Sequence, residues 1–279
     1  MPKPDIEKMT DEAFHRLPLA AEWLDTCFCE ASAIQDYVRN RPMTDGTRFV
    51  VNVHNRFRYS AFHLLRMIPG TRWSSPSECW DMAAIAVHGR TILEGSLVFN
   101  YLTEANISED EFNARLISIE ICELRSLKGL LTRDTAGSAA ASAQIETLTD
   151  ALKKTKTFQS MTPKAQKANL GDKEGAWGML WSKEQAIDKY GFDPIVFRQR
   201  TAFWSKFCHM LPDNYQHIES RRSSDVETEF GNAAALSAGI LMGANFTLAN
   251  GCQVPQALLA GRNSVFLPWQ PVSPGFEVP

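Results

Sequence analysis

The sequence predicts an all-α protein, a bundle of long antiparallel helices, and three observations support this fold class. Apolar residues recur with a period close to 3.6, helix-start signals are frequent, and no run alternates with the period of 2 typical of strands. The 279 residues are 44% hydrophobic and 22% charged, which is typical of a globular protein and argues against a disordered chain.

Serine, threonine and aspartate caps mark where most of the helices begin. Ser75 offers an N-cap, followed by a proline at the first helical position and by Glu78, which completes a capping box. Similar start signals stand at Ser108, Thr162, Ser182, Asp193 and Ser224. We therefore expect helices near residues 10–16, 18–40, 48–68, 76–104, 109–133, 139–158, 163–169, 183–190, 194–211 and 225–250, with a short turn near 255–261.

The predicted domain organisation is one helical domain over residues 1–267. Residues 134–175 form a lysine-rich stretch, which we expect to be a peripheral helical insertion. Proline recurs every few positions in 268–279 and predicts a non-helical tail. The candidate RNA-contacting residues of the insertion are Lys153, Lys154, Lys156, Lys164 and Lys167. Phe158 is the only aromatic residue in this basic part of the insertion, so an ordinary solvated face is the simpler interpretation.

Charge and cysteine usage predict a cytoplasmic protein without a bound metal or cofactor. The net charge of −3 argues against a generally basic nucleic-acid coat. The six cysteines form no C-x-x-C pair, and the N-terminus has no apolar signal segment. Residues 233–249 carry no charge over about the length of a membrane span, but they include serine, asparagine and threonine. We expect a helix buried on all sides, and no membrane contact.

Two patterns on separate helices, each a pair of residues four apart, could carry chemistry. Arg90 and Glu94 are four residues apart and share a helix face, which predicts a partly buried ion pair that fixes helix register. The functional alternative is an anion site using Arg90 and Arg198, or a base at Glu94. Ser205 and His209 are also four apart, but a mid-helix serine without an orienting acid is weak support for a nucleophile.

A third pattern resembles the metal-independent ribonucleases of the HEPN class. His63 follows Arg58 by five residues and Arg56 by seven, and Arg56 and His63 share a helix face with other polar residues. In such an enzyme the histidine acts as general acid or base and an arginine holds the phosphate. A solvated or inter-helix face is the simpler interpretation of this stripe.

Small residues recur every four positions along the last long helix. They are Gly231, Ala235, Gly239 and Gly243. Such a stripe lets another helix approach closely, which predicts either a central helix or the seam of a homodimer.

Three helices together resemble an uncharacterised bacterial family of helical proteins catalogued only as a domain of unknown function. The resemblance rests on Arg90-Thr-Ile-Leu-Glu94, on the Trp181-Ser182 helix start, and on Phe197-Arg198 through Ser205-x3-His209. It spans about residues 50–250 and implies a compact bundle that draws Arg90, Glu94, Ser205 and His209 together. Phe197 stands where that family usually has tyrosine, and Gly89 where it commonly has alanine.

The sequence therefore favours a non-enzymatic interaction or regulatory protein that works through a partner or as a dimer. The alternatives are a HEPN-like ribonuclease or nucleic-acid-associated defence protein, and a protein that binds small anions.

Overall fold

A computed structural model of the chain contains ten helices and no strand in the residues it describes, which confirms the all-α helical bundle. The described residues are 17–74, 80–131, 134–170, 182–208, 224–255 and 258. In chain order the helices are α1 (Leu17–Val38), α2 (Asp45–Met67), α3 (Met82–Leu102), α4 (Glu109–Leu130), α5 (Thr135–Lys154), α6 (Lys156–Gln159), α7 (Pro163–Leu170), α8 (Lys183–Lys189), α9 (Pro194–Cys208) and α10 (Ser224–Gly251).

The chain divides into two compact units, Met1–Phe99 with Ile195–Pro279, and Asn100–Pro194. Of the described helices, α1, α2, α10 and most of α3 and α9 belong to the first unit, and α4 to α8 belong to the second. The single domain over 1–267 and the insertion over 134–175 stay predictions. The expected helix at 10–16 and the tail at 268–279 lie outside the described residues.

Three of the six expected start signals are confirmed by capping hydrogen bonds, and the one at Ser75 lies outside the described residues. The Ser108 hydroxyl accepts from the Glu111 N–H at 3.1 Å, and Thr162 caps α7 in the same way. Ser182 and Gln185 form a complete capping box at α8. At α10 the helix begins at Ser224, one residue before the expected start.

Three expected helix starts are wrong. The helix expected from residue 48 begins at Asp45, and the Thr44 hydroxyl caps it by accepting the Thr47 N–H at 3.2 Å. Trp80 and Asp81 are not helical, and α3 begins at Met82. The Asp81 carboxylate caps it by accepting the backbone N–H groups of Ala83 and Ala84 at 2.9 and 3.0 Å. The expected helix over 139–158 begins four residues earlier, at Thr135, and breaks at Thr155. There the threonine hydroxyl donates to the Leu152 carbonyl and accepts the Phe158 N–H, so one side chain caps both α5 and α6.

In the first unit, α10 packs along α1 and also contacts α2, and α1 packs on α2. The apolar residues that recur with the helical period along α2 and at the residue after it are buried, except Val53, which is half-buried; the buried ones are Val50, Phe57, Ala61, Leu64, Leu65 and Ile68. Small side chains let α10 lie close to α1, because its buried face carries Ala233, Ala234, Ala238, Leu241, Ala244 and Leu248.

A buried histidine ties α2 to both neighbouring helices. The Gln35 side-chain amide of α1 donates to Nδ1 of His54 at 2.8 Å, and to the Val51 carbonyl at 3.2 Å. Because an amide nitrogen can only donate, Nδ1 accepts and Nε2 carries the proton. Nε2 then donates to the Asn245 side-chain oxygen of α10 at 2.8 Å. The buried ring of His54 is therefore neutral and fully hydrogen-bonded.

The other end of Asn245 completes this network. Its amide nitrogen donates to the Cys27 carbonyl of α1 at 2.9 Å and lies 3.5 Å from a carboxylate oxygen of Glu30. Burial, with the positive charge of Arg58, lowers the pKa of His54 to about 4. We call this set (Gln35, His54, Asn245, Glu30 and the Cys27 carbonyl) the His54 network.

The prediction that residues 233–249 are buried on all sides is wrong, because α10 has one open side. Gly239 is exposed, and Leu236, Met242 and Phe246 are half-buried. By length and composition α3 and α10 are each apolar enough to cross a membrane, but 50% and 61% of their most apolar windows are buried inside the protein. The absence of membrane contact stays a prediction.

In the second unit, α4 packs on α5, and α6 contacts both. Arg115 of α4 is buried in this unit, with a side chain only 1% exposed. Arg115 pairs with Glu104 at 3.0 Å and with Glu111, donates to the Tyr101 carbonyl, and stacks on the Tyr101 ring at 4.4 Å. Two carboxylates compensate this buried charge, so removing either would leave the arginine under-paired.

Protonation of the His54 network should destabilise the first unit in mild acid. In the unfolded chain His54 has the ordinary pKa of 6.5, so between pH 6.5 and 4 the unfolded chain binds a proton that the folded protein excludes. The contribution of the neutral His54 ring to the free energy of unfolding is complete above pH 6.5 and is lost as the pH falls toward 4. We expect this one group to lower the free energy of unfolding by about 2 kcal/mol between pH 7.5 and 5, measured by urea denaturation.

The control is His54→Gln, which removes the titrating group and should flatten this part of the pH dependence. In the folded wild-type protein, NMR should show the His54 ring still neutral at pH 5. A ring that takes up its proton near pH 6.5, or an equal pH dependence in the variant, would contradict the assignment.

Candidate functional site

The predicted pair of Arg90 and Glu94 forms, and a third side chain joins it. The Nε of Arg90 lies 3.1 Å from Oε2 of Glu94, and Nη2 lies 3.4 Å from Oε1, a two-point contact along one face of α3. The Nη1 of Arg90 donates to the Ser205 hydroxyl of α9 at 2.8 Å. All three guanidinium nitrogens therefore contact partners within the first unit, and Arg90 links α3 to α9.

Tight packing beside this cluster sets its geometry. Trp204 of α9 is fully buried, and its ring lies against Gly89 of α3, so close that a Cβ there would stand 3.0 Å from the ring. Gly95, on another side of α3, lies even closer to Phe57 of α2, where an added Cβ would stand 2.6 Å from the ring. The glycine at 89 therefore gives α9 room to approach and places Ser205 beside Arg90.

The cluster is partly open to solvent. The side chains of Arg90 and Glu94 are 31% and 33% exposed, and Ser205 is half-buried. Because the positive charge is already paired, an incoming anion would have to compete with Glu94 and Ser205 for the guanidinium. The geometry suits a clamp between helices better than an anion site.

Two of the candidate residues do not join the described cluster. His209 lies outside the described residues, so its approach to Arg90 or Ser205 stays a prediction. Arg198 is exposed on α9, seven residues before Ser205 and therefore about two turns away on the same helix face. The anion site that would use Arg90 and Arg198 together also stays a prediction.

The residues of the ribonuclease hypothesis lie on α2, where the structure gives each of them different surroundings. His63 stacks on His88 of α3, with ring centroids 4.8 Å apart and planes 12° from parallel. Burial lowers the pKa of His88, and the neighbouring His63 ring lowers it further. Arg58 bonds Asn55 and lies over the Tyr59 ring, whereas Arg56 is exposed. The ribonuclease hypothesis stays a prediction.

Side chains that the sequence analysis missed are joined by contacts between residues far apart in the chain. Asp25 accepts from the Trp73 indole at 2.7 Å and pairs with Arg72 at 2.8 Å, which fixes the loop after α2. The partners of His54 and Arg115 were missed for the same reason. Only the spacing of Arg115 from Glu111, four residues on one helix, gave a local signal.

Among the described residues, no group of three or more His, Cys, Asp or Glu side chains lies close enough together to hold a metal ion. Comparison of the chain with protein-family models, with curated proteins and with solved structures found no match. The resemblance to the uncharacterised bacterial family accordingly stays a prediction.

A double-mutant cycle should measure the clamp at Arg90. Because both side chains keep about a third of their surface in water, we expect Arg90→Met and Glu94→Gln to be coupled by about 0.5–1 kcal/mol in urea denaturation. The matched control is the exposed pair of Arg48 and Asp45, 3.7 Å apart, whose coupling should be near zero. Equal coupling in the two cycles would show that Arg90 and Glu94 are no more than a surface pair.

Proposed function

We propose that this protein is a non-enzymatic interaction protein, and that a second copy of the chain packs on the outward side of α10. The outer face of α10 is defined by Ala235, Leu236, Gly239, Ile240, Met242, Gly243, Phe246 and Thr247. The observation that carries the proposal is the open space over two glycines at the centre of this face.

The outer face is uncharged and largely apolar. No Asp, Glu, Lys or Arg occurs from Phe230 to Gly251, and every member of the outer face is half-buried or exposed. Solvent-facing sides of helices in globular proteins usually carry charged or polar residues. An outward helix face of more than three turns without a charge therefore favours a partner that covers it.

Gly239 and Gly243 lie opposite the buried face of α10, in the middle of the outer face. A Cβ added at either glycine would meet no heavy atom within 4 Å outside the helix. Each glycine in a helix interior costs about 0.5–1 kcal/mol relative to alanine, and nothing in the described part of the monomer offsets this cost. A second helix that packs closely against the backbone at these glycines would offset this cost.

A second copy suits this face because a two-fold axis brings the same surface against itself. The glycines of one protomer would then meet those of its partner, with Met242 and Phe246 packing at the sides. Since the face is uncharged, two copies bring no like charges together.

Replacing the glycines should separate the protomers. We expect sedimentation equilibrium to show a wild-type dimer at micromolar concentrations, and Gly239→Leu or Gly243→Leu to weaken association by at least about tenfold, through loss of close approach. Gly129→Leu is the matched control, because Gly129 is an exposed helical glycine of α4 whose Cβ would also meet open space. A monomeric wild-type protein, or equal weakening by the control, would contradict the proposal.

Replacing Gly239 should stabilise the separated monomer, although it weakens association. Gly239→Ala should raise the free energy of unfolding at low protein concentration by about 0.5–1 kcal/mol, since alanine favours the helix. Gly95→Ala should lower it, because its Cβ would stand 2.6 Å from the buried Phe57 ring. Thermal denaturation of both variants measures this, and destabilisation by Gly239→Ala would show that its position is occupied in the monomer.

A further inference from the structure

The second unit carries a concentration of positive charge that contrasts with the rest of the chain. Residues 151–170 contain five lysines and no Asp or Glu. Since the whole chain has a net charge of −3, the remaining residues sum to −8 (−3 minus +5). The five side chains, which we call the lysine patch, are Lys153, Lys154, Lys156, Lys164 and Lys167, and all are exposed.

The first three of these lysines lie on either side of Thr155, where α5 ends and α6 begins, and hydrogen bonds hold this junction in place. The Asp110 carboxylate of α4 accepts the Lys156 N–H at 3.1 Å, the Thr157 N–H at 2.8 Å and the Thr157 hydroxyl at 2.7 Å. These hydrogen bonds lower the pKa of Asp110, and the bond from the Thr157 hydroxyl has the largest effect. Phe158 is buried on the inner side of the same junction. The backbone that carries the lysines is therefore anchored on α4.

The other two lysines lie on α7, which is held by hydrogen bonds from its middle and at its C-terminal end. The Gln166 side chain donates to the Phe158 carbonyl at 2.9 Å, and Arg125 of α4 donates to the Leu170 carbonyl at 3.0 Å. Lys164 and Lys167 are three residues apart, so they project from one side of the helix. The lysine patch is thus a set of charges on fixed helices.

The chemistry of the patch indicates which polyanion it fits. Its one aromatic ring, Phe158, is buried and cannot stack on an unpaired base. The exposed residues between the lysines, Gln159, Ser160, Thr162 and Pro163, include no large apolar side chain that could enter a membrane. Lysine ammonium groups without base-reading or stacking neighbours match the regularly spaced phosphates of a duplex.

We propose that the lysine patch binds the phosphate backbone of duplex nucleic acid, without preference for base sequence. Lys153 is already 3.2 Å from Asp150, so about four lysines remain to displace counterions. Each phosphate contact contributes about −0.9 to the slope of log K against log salt, which gives a slope of about −4.

The test compares two variants that each lose three positive charges. The patch variant is Lys154→Gln with Lys164→Gln and Lys167→Gln, and the control variant is Arg39→Gln with Arg48→Gln and Lys206→Gln, all exposed and all in the first unit. Fluorescence anisotropy with labelled 20-base-pair DNA and RNA duplexes measures binding between about 30 and 200 mM salt. Single strands of the same length, and vesicles with and without phosphatidylserine, are the other arms, and circular dichroism confirms that both variants are folded.

We expect the wild-type protein and the control variant to bind the duplexes with similar slopes. The patch variant should bind at least about tenfold more weakly at low salt, with a slope reduced by about 2.7. Equal losses in the two variants would show that only net charge matters and would overturn the proposal. So would tighter binding to single strands or to anionic vesicles than to duplexes, or a wild-type slope near zero.

Discussion

The hydrogen bond between His54 and Asn245 fixes how α1, α2 and α10 meet in the first unit. Apolar stripes alone allow neighbouring helices to slide by a turn at little cost, since one buried alanine or leucine can replace another. The His54 network allows no such slip, because a shifted register would leave a buried imidazole, the buried amide of Asn245 and the half-buried amide of Gln35 without partners. Small apolar residues bring α10 close to α1, and the polar atoms among them determine the register.

This register also decides which side of α10 points outward. Asn245 must face α1 and α2, so Gly239 and Gly243 face away from them. Close packing on α3 has a comparable effect, because Trp204 can lie on the helix only where Gly89 leaves room, and Ser205 then reaches Arg90. The charged cluster that looked most like a site from the sequence is largely satisfied by its own partners. The two features for which we propose partners, the outer face of α10 and the lysine patch, lie on the surface of the protein.

Local sequence predicted those features that depend on neighbours within one helix. The caps at Ser108 and Ser182, the buried stripe of α2 and the pairing of Arg90 with Glu94 all follow from spacings of three or four residues. His54 and Asn245 are 191 residues apart, and Glu104 and Arg115 belong to different elements, so periodicity held no signal for either contact. The start of α3 was missed because Ser75 offered a fuller capping pattern than Asp81, the residue that caps it.

The two proposed surfaces differ in physical origin, and salt separates them. Association through the outer face of α10 removes apolar surface from water and involves no charged side chain, so added salt leaves it unchanged or strengthens it. Phosphate contacts by the lysine patch release condensed counterions, so added salt weakens them steeply. A protein that carries both should remain associated at a salt concentration that has already removed a bound duplex. One titration that follows molecular mass and duplex binding together therefore distinguishes the two surfaces without any substitution.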